Sequence, residues 1–263
     1  MKLKIQFINA FTSTLFHGNS AAVIVIEQWL DKKVMQSIAT ENNLSETAFV
    51  KPVDVNSFEI RWFSPITEID FCGHATLAAA FVLYSLDKSL TAITFVAKAV
   101  GNLLVIERPD GFIQMSFPNR TPREVVSIPD ALINGLSIPP CAVLKNEQAF
   151  FAIYSNEQAV KDVVTNDELL KKLAPLDVVV TAPSLQYDFI SRYFWPANGG
   201  IEDPVTGSIH AGLAPYWSAE LDKDDLIAYQ ASERGGMLKC TIEHDRVLVS
   251  GQAVKYLEGI ISI

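Results

Sequence analysis

Asp70-Phe71-Cys72-Gly73-His74-Ala75-Thr76-Leu77-Ala78-Ala79-Ala80-Phe81-Val82-Leu83-Tyr84-Ser85-Leu86-Asp87 is the stretch whose reading decides the fold. It opens with an acid, a small turn residue and a histidine. From Ala75 to Leu86 only Thr76, Tyr84 and Ser85 then carry a polar side-chain atom. A helix without a polar face has to be enclosed. About 12 helical residues rise only ~18 Å, too little to cross a bilayer. The stretch therefore predicts a helix inside a protein core, its N-terminus open to a site at Gly73 and His74.

Working outward, the segment before this helix has an echo. Arg61-Trp62-Phe63-Ser64-Pro65 is matched by Arg192-Tyr193-Phe194-Trp195-Pro196, with Arg, Phe and Pro each displaced by 131 positions in a chain of 263. Each copy continues into an acid, a Gly-bearing turn and an apolar run: Asp70 to Gly73-His74, then Asp203 to Gly207-Ser208 and on through Ile209 to Leu221. Gly73 and Gly207 are 134 apart, which places a small insertion in the second copy, with Asn198-Gly199-Gly200 as the candidate. A half-length repeat predicts two similar halves. They are drawn at residues 1–117 and 130–263, joined by the polar, Pro-rich segment 118–129 as linker.

Strands dominate both halves. Alternation or short apolar runs predict them at 2–7, 21–26, 46–50, 57–63, 92–97, 102–106 and 112–117, then at 141–144, 149–154, 178–181, 189–194, 237–243, 246–250 and 256–261. Leu30, Val34 and Ile38 mark an amphipathic helix from about Glu27 to Asn42, and shorter helices fit 157–163 and 167–173. Pro215 falls inside the second apolar helix and should kink it or split off its start. One core helix per strand-rich half predicts an α+β fold of two pseudo-symmetric domains, each a barrel-like mixed sheet around a central buried helix. A doubly wound parallel sheet fits poorly.

Composition narrows the function classes. A net charge of −9 without a Lys/Arg run argues against nucleic acid. Met1 to Ala10 alternates like a strand and does not read as a signal peptide, and no run is long enough for a membrane span. Cys72, Cys141 and Cys240 are scattered and odd in number, which suits reduced thiols and a cytoplasmic location. His17, His74, His210 and His244 lack metal-ligand spacing, so no metal is expected, and no P-loop, dinucleotide fingerprint or Gly-x-Ser-x-Gly appears. His210, on an apolar helix, reads as a core residue.

Several motifs together resemble one family. They are Gly18-Asn19-Ser20-Ala21-Ala22-Val23, Asn43-Leu44-Ser45-Glu46-Thr47-Ala48-Phe49, Arg61-Trp62-Phe63 followed by Glu68-Ile69-Asp70-Phe71-Cys72-Gly73-His74-Ala75-Thr76, and Glu202-Asp203-Pro204-Val205-Thr206-Gly207-Ser208. Their order and spacing over essentially the whole chain are similar to the phenazine-biosynthesis isomerase (PhzF-like) family. The resemblance implies the diaminopimelate-epimerase fold with an active site in the cleft between its halves. It also implies a cofactor-free enzyme, a homodimer and a small anionic substrate. The activity best known in the family is isomerisation of trans-2,3-dihydro-3-hydroxyanthranilate.

By the same resemblance Glu46 is the acid/base that takes a proton from one carbon and returns it to another, work that needs a water-protected carboxylate of raised basicity. Spacing alone favours a solvated strand-edge glutamate at Glu46, and it is the resemblance that reverses this. His74 and Asp203 are the matching substrate-handling residues, with a helix-capping histidine and a loop acid as their alternatives. Gly73, Gly207 and Ser208 are placed to offer donors to a carboxylate, and Asn19 is a further contact whose alternative is a purely local turn role. Related racemases and epimerases oppose two cysteines. Here Cys72 has no counterpart in the second copy, so it reads as a small thiol lining the site. An amino-acid racemase or epimerase of the same fold, or a non-catalytic binding or scaffold protein, are the competing functions.

Overall fold

The computed structural model describes all residues, 1–263. They divide into two compact units, Met1–Ser116 with Ser250–Ile263, and Phe117–Val249.

The first unit runs β1 (Lys2–Ala10), β2 (Asn19–Val25), α1 (Lys32–Asn42), β3 (Glu46–Asp54), β4 (Ser57–Phe63), β5 (Glu68–Ile69), α2 (Gly73–Leu86), β6 (Ala92–Ala97), β7 (Gly101–Glu107) and β8 (Ile113–Pro118). β2 and β3 pair in parallel, as do β4 and β6, and the remaining neighbours are antiparallel. α2 is buried at every position from Gly73 to Ala80 and from Val82 to Tyr84, and packs against β1, β2, β3 and β7. This is the enclosure that an all-apolar helix demands. α1 covers the other face of the sheet, where Met35, Ile38 and Ala39 meet Ala22, Ile24, Phe49 and Phe63. It starts at Lys32 and not near Glu27, because the Asp31 side chain caps it by accepting from the Lys33 N–H.

The second unit runs β9 (Arg123–Glu124), α3 (Asp130–Ile133), β10 (Ala142–Lys145), β11 (Ala149–Ile153), α4 (Glu157–Asp162), α5 (Asp167–Leu170), β12 (Asp177–Pro183), β13 (Phe189–Phe194), β14 (Glu202–Asp203), α6 (His210–Leu221), β15 (Asp225–Gln230), β16 (Gly236–Glu243) and β17 (Arg246–Gly251). The first unit's pairing recurs: β11 and β12 are parallel, as are β13 and β15, while β12–β13, β13–β14 and β15–β16 are antiparallel. β15 is absent from the strand expectations above. Its buried alternate set, Leu226, Ala228 and Gln230, ends on an amide while Ile227 points outward, which blurs the alternation.

The final strand, β18 (Ala253–Ser262), pairs with β1 along its length and joins the first unit, so the chain does not divide at 130–263 as the repeat suggested. The segment read as a linker likewise belongs to the second unit, where β9 pairs with β10. Pro215 leaves α6 continuous from His210 to Leu221. The helix N–H that proline lacks would have gone to the Ala211 carbonyl. That carbonyl instead accepts from the Arg120 backbone N–H at 2.9 Å. Gly212 permits the approach: a Cβ there would lie 2.7 Å from Phe151 and 3.1 Å from the Arg120 carbonyl. Gly212→Ala is therefore expected to destabilise the chain by about 1–3 kcal/mol, the usual effect of overpacking. Urea unfolding measures it, and an unchanged midpoint would contradict this account.

Candidate active site

In β3 the residues Glu46, Ala48 and Val50 share one face and Thr47 and Phe49 the other, by the two-residue period of a strand. Phe49 packs toward α1, so Glu46 faces α2. It stands at the very start of β3, opposite Ala21 of β2, and α2 brings His74 to it in its first turn. The His74 Nε2 lies 2.9 Å from Glu46 Oε2. The ring N–H is poorly aligned with that oxygen, and Oε2 carries no directed hydrogen bond. On the other side of the ring, Asn19 Nδ2 is 3.1 Å from His74 Nδ1. Asn19 is the first residue of β2 and fully buried. Its position depends on Gly18, which has φ +69° and would place a Cβ 2.2 Å from the Ala10 carbonyl oxygen. No other residue fits that turn.

Cys72 completes the group, its Sγ lying 3.4 Å from His74 Nδ1 and 3.9 Å from Nε2. Relative exposures are 8% for Glu46, 6% for His74 and 7% for Cys72, so the cluster is shielded from water. Burial pushes the Cys72 thiol up to about 11, reinforced by the Glu46 charge and only partly opposed by His74 and the Ala75 N–H. Burial disfavours an imidazolium at His74, but Cys72 and Glu46 beside it outweigh this and hold His74 well above its ordinary value. Because the thiol is protonated at neutral pH, the charge that a protonated His74 answers is that of Glu46. Sequence spacing gave no sign that Glu46, Cys72 and His74 would offer three donor atoms all within 4.8 Å of one another.

The second unit assembles Asp203, Gly207 and Ser208 on one loop ahead of α6. Asp203 closes β14 opposite Tyr193 and accepts a short hydrogen bond from the Thr206 hydroxyl. Gly207 accepts from the His210 N–H at 3.2 Å, in a tight turn that starts the helix. The loop is clamped by Gln230 at the end of β15, whose fully buried amide accepts from Thr206 N–H at 2.9 Å and donates to the Asp203 carbonyl at 2.8 Å. Gln148 donates to Ser208 Oγ at 3.0 Å and to Tyr193 Oη at 3.2 Å, and Tyr193 in turn donates to Asp177 at 2.6 Å. Burial raises Asp177 above the usual carboxylate range against the bonds from Tyr193 and Asn198. Gln148 and Gln230 escaped the sequence reading because neither lies in a recognisable motif, and the folding of distant strands alone brings them to the loop.

His210 is a core residue, as read from the sequence. Its Nδ1 donates to the Thr206 carbonyl at 2.9 Å, Nε2 has no partner, and burial lowers its pKa from 6.5 to about 4. An unfolded chain takes up this proton near pH 6.5 while the folded one refuses it until about pH 4. Stability is therefore expected to fall as pH drops through that window, by about 3 kcal/mol from this group. His210→Gln should flatten the slope in urea titrations at pH 7, 5.5 and 4, and an unaltered slope would refute the assignment.

Comparison with known proteins bears on family and fold. The family model described as phenazine biosynthesis-like protein matches residues 8–259. An uncharacterized isomerase of Halalkalibacterium halodurans is 44% identical over 263 residues, covering 98% of each chain. A PhzF-family crystal structure from Enterococcus faecalis superposes with a TM-score of 0.95 at 37% identity, covering both chains completely. A hydroxyproline epimerase from Agrobacterium vitis shares the fold alone, with a TM-score of 0.63 at 8% identity over 99% of this chain and 92% of its own. The architecture is thus a sheet-dominated α+β fold of the PhzF and epimerase type. No helix is long and apolar enough to cross a membrane.

Proposed function

Because the chain belongs to the PhzC-PhzF family of phenazine biosynthesis-like proteins, we propose that it is a cofactor-independent isomerase. In this reading it moves a proton between two carbons of a small, carboxylate-bearing substrate related to trans-2,3-dihydro-3-hydroxyanthranilate. The observation that carries the reading is the buried Glu46–His74 pair, 2.9 Å apart, with Oε2 free of any directed hydrogen bond.

The chemistry follows from that geometry. An oxygen not committed to an aligned donor keeps its lone pair for a substrate C–H, and burial keeps solvent from competing for it. Glu46 takes the proton, the C–H electron pair shifts into the adjoining unsaturation, and the resulting carboxylic acid returns the proton to the second carbon. His74, protonated, balances the Glu46 charge before the transfer and faces the developing charge on the substrate after it. Asn19 packs on the other side of the ring, its side-chain amide 3.1 Å from Nδ1. We assign recognition of the substrate carboxylate or hydroxyl to Asp203, Ser208 and the backbone at Gly73 and Gly207, and we assign a homodimeric assembly to the protein. Two-thiol racemisation finds no support: Cys72 is the only cysteine at either motif, and burial keeps it protonated.

The test is deuterium uptake from heavy water into a panel of small unsaturated carboxylic acids, starting with dihydrohydroxyanthranilate and followed by NMR. Glu46→Gln preserves shape and removes basicity, so turnover should fall at least about 1,000-fold while ligand binding, read as a melting-temperature shift, persists. Asp203→Asn should weaken binding as well as rate. Exchange by Glu46→Gln at close to the wild-type rate would remove Glu46 as the base.

A further inference from the structure

Extending the base role given to Glu46, we propose that Glu46, Cys72 and His74 also form a binding site for one thiophilic divalent cation, Zn2+ being the probe, and that its occupancy switches the enzyme off. The three side chains present one sulfur, one nitrogen and one oxygen donor, all within 4.8 Å of one another. Metal–ligand lengths of about 2.0–2.3 Å in tetrahedral zinc sites imply ligand-to-ligand edges of roughly 3.3–3.6 Å. The observed edges, 3.9 Å from Cys72 Sγ to His74 Nε2 and 2.9 Å from Nε2 to Glu46 Oε2, straddle that range, so small side-chain rotations close the site.

Three further features fit. A thiolate with an imidazole selects zinc over magnesium or calcium, which prefer oxygen ligands. The ring nitrogen left over, Nδ1, lies 3.1 Å from the Asn19 side-chain amide, whose oxygen, turned toward the ring, would accept its N–H as the outer partners of ligating histidines do. The donors stand at the start of β3, at the N-cap of α2 and in its first turn, and three protein ligands leave the fourth position open. On binding, the Cys72 S–H bond and the His74 Nε2–H bond break, both protons pass to solvent, and sulfur–metal and nitrogen–metal bonds replace them. Glu46 Oε2 and His74 Nε2 spend their lone pairs on the metal, so neither can handle a substrate proton.

The experiment titrates the full chain with Zn2+ against a chromophoric chelator, and with Co2+ as a spectroscopic substitute. Wild type should bind one equivalent and show thiolate-to-cobalt charge-transfer absorption. Cys72→Ser, and Cys72→Ala as a second variant, should lose the band and bind Zn2+ at least about 100-fold more weakly, since even outer-shell losses reach that size. Cys141→Ser is the control for the exposed thiol and should match wild type. Turnover should be undiminished after chelator treatment, fall with one equivalent of Zn2+ and return on chelation. Equal affinity in wild type and Cys72→Ser, a band lost only in Cys141→Ser, or full turnover by zinc-loaded enzyme would overturn the proposal. Failure of the base assignment shows separately, as turnover surviving Glu46→Gln, while the cobalt spectra judge the metal site by themselves.

Discussion

A helix with no polar face can exist in water only inside a shell of other elements, and in the first unit that shell is the sheet. The need to bury α2 on every side dictates how β1, β2, β3 and β7 are disposed around it. Its consequence for chemistry is local. An enclosed helix carries its first turn into the interior as well, so the residues at that turn, Cys72, Gly73 and His74, are removed from water together with the apolar ones. The strands that pack on the helix bring their own first residues to the same place, Asn19 from β2 and Glu46 from β3. The site is a by-product of solving the burial problem.

Placing a carboxylate there has an electrostatic consequence. An isolated charge at such a position would be disfavoured by several kcal/mol, so the group must be neutralised or paired. His74 is the pair, and the carboxylate beside it favours the protonated imidazole against its own desolvation. Cys72 has no such help. Its thiol stays neutral, which separates it from the reactive thiolates of electropositive surface sites.

The two units share a scaffold and diverge at the helix entrance. Arg61 grips Glu68 with two hydrogen bonds of 2.7 and 3.0 Å, and Arg192 grips Glu202 with two of 2.8 and 2.9 Å. In the first unit this pairing holds Glu68 down to about 2. Each pair staples the short strand preceding a buried helix. Arg61 and Arg192 are 131 positions apart, but Glu68 and Glu202 are 134 apart, so the extra residues lie between them, where Gly199 turns the chain with φ +108°. Beyond the staple, one unit places a histidine against a carboxylate. The other places Asp203 and Ser208 on a loop held by the neutral amides of Gln230 and Gln148.

Much of this was written locally. The apolar run after Gly73 required a buried helix, the half-length repeat required two similar units, and Glu46, His74 and Asp203 sat in motifs whose order is legible without coordinates. What could not be read locally depends on pairing between distant segments. β18 joins β1 at the opposite end of the chain because edge hydrogen bonds, not sequence proximity, decide where a strand docks. Pro215 stays within a continuous helix because the carbonyl it frees is taken by Arg120, a partner 91 positions earlier. The glutamine clamps and the third donor beside His74 have the same origin. Side-chain type and spacing state which groups are available. Only the fold, by removing water and fixing distances of about 3 Å, decides which of them meet and what charge they carry.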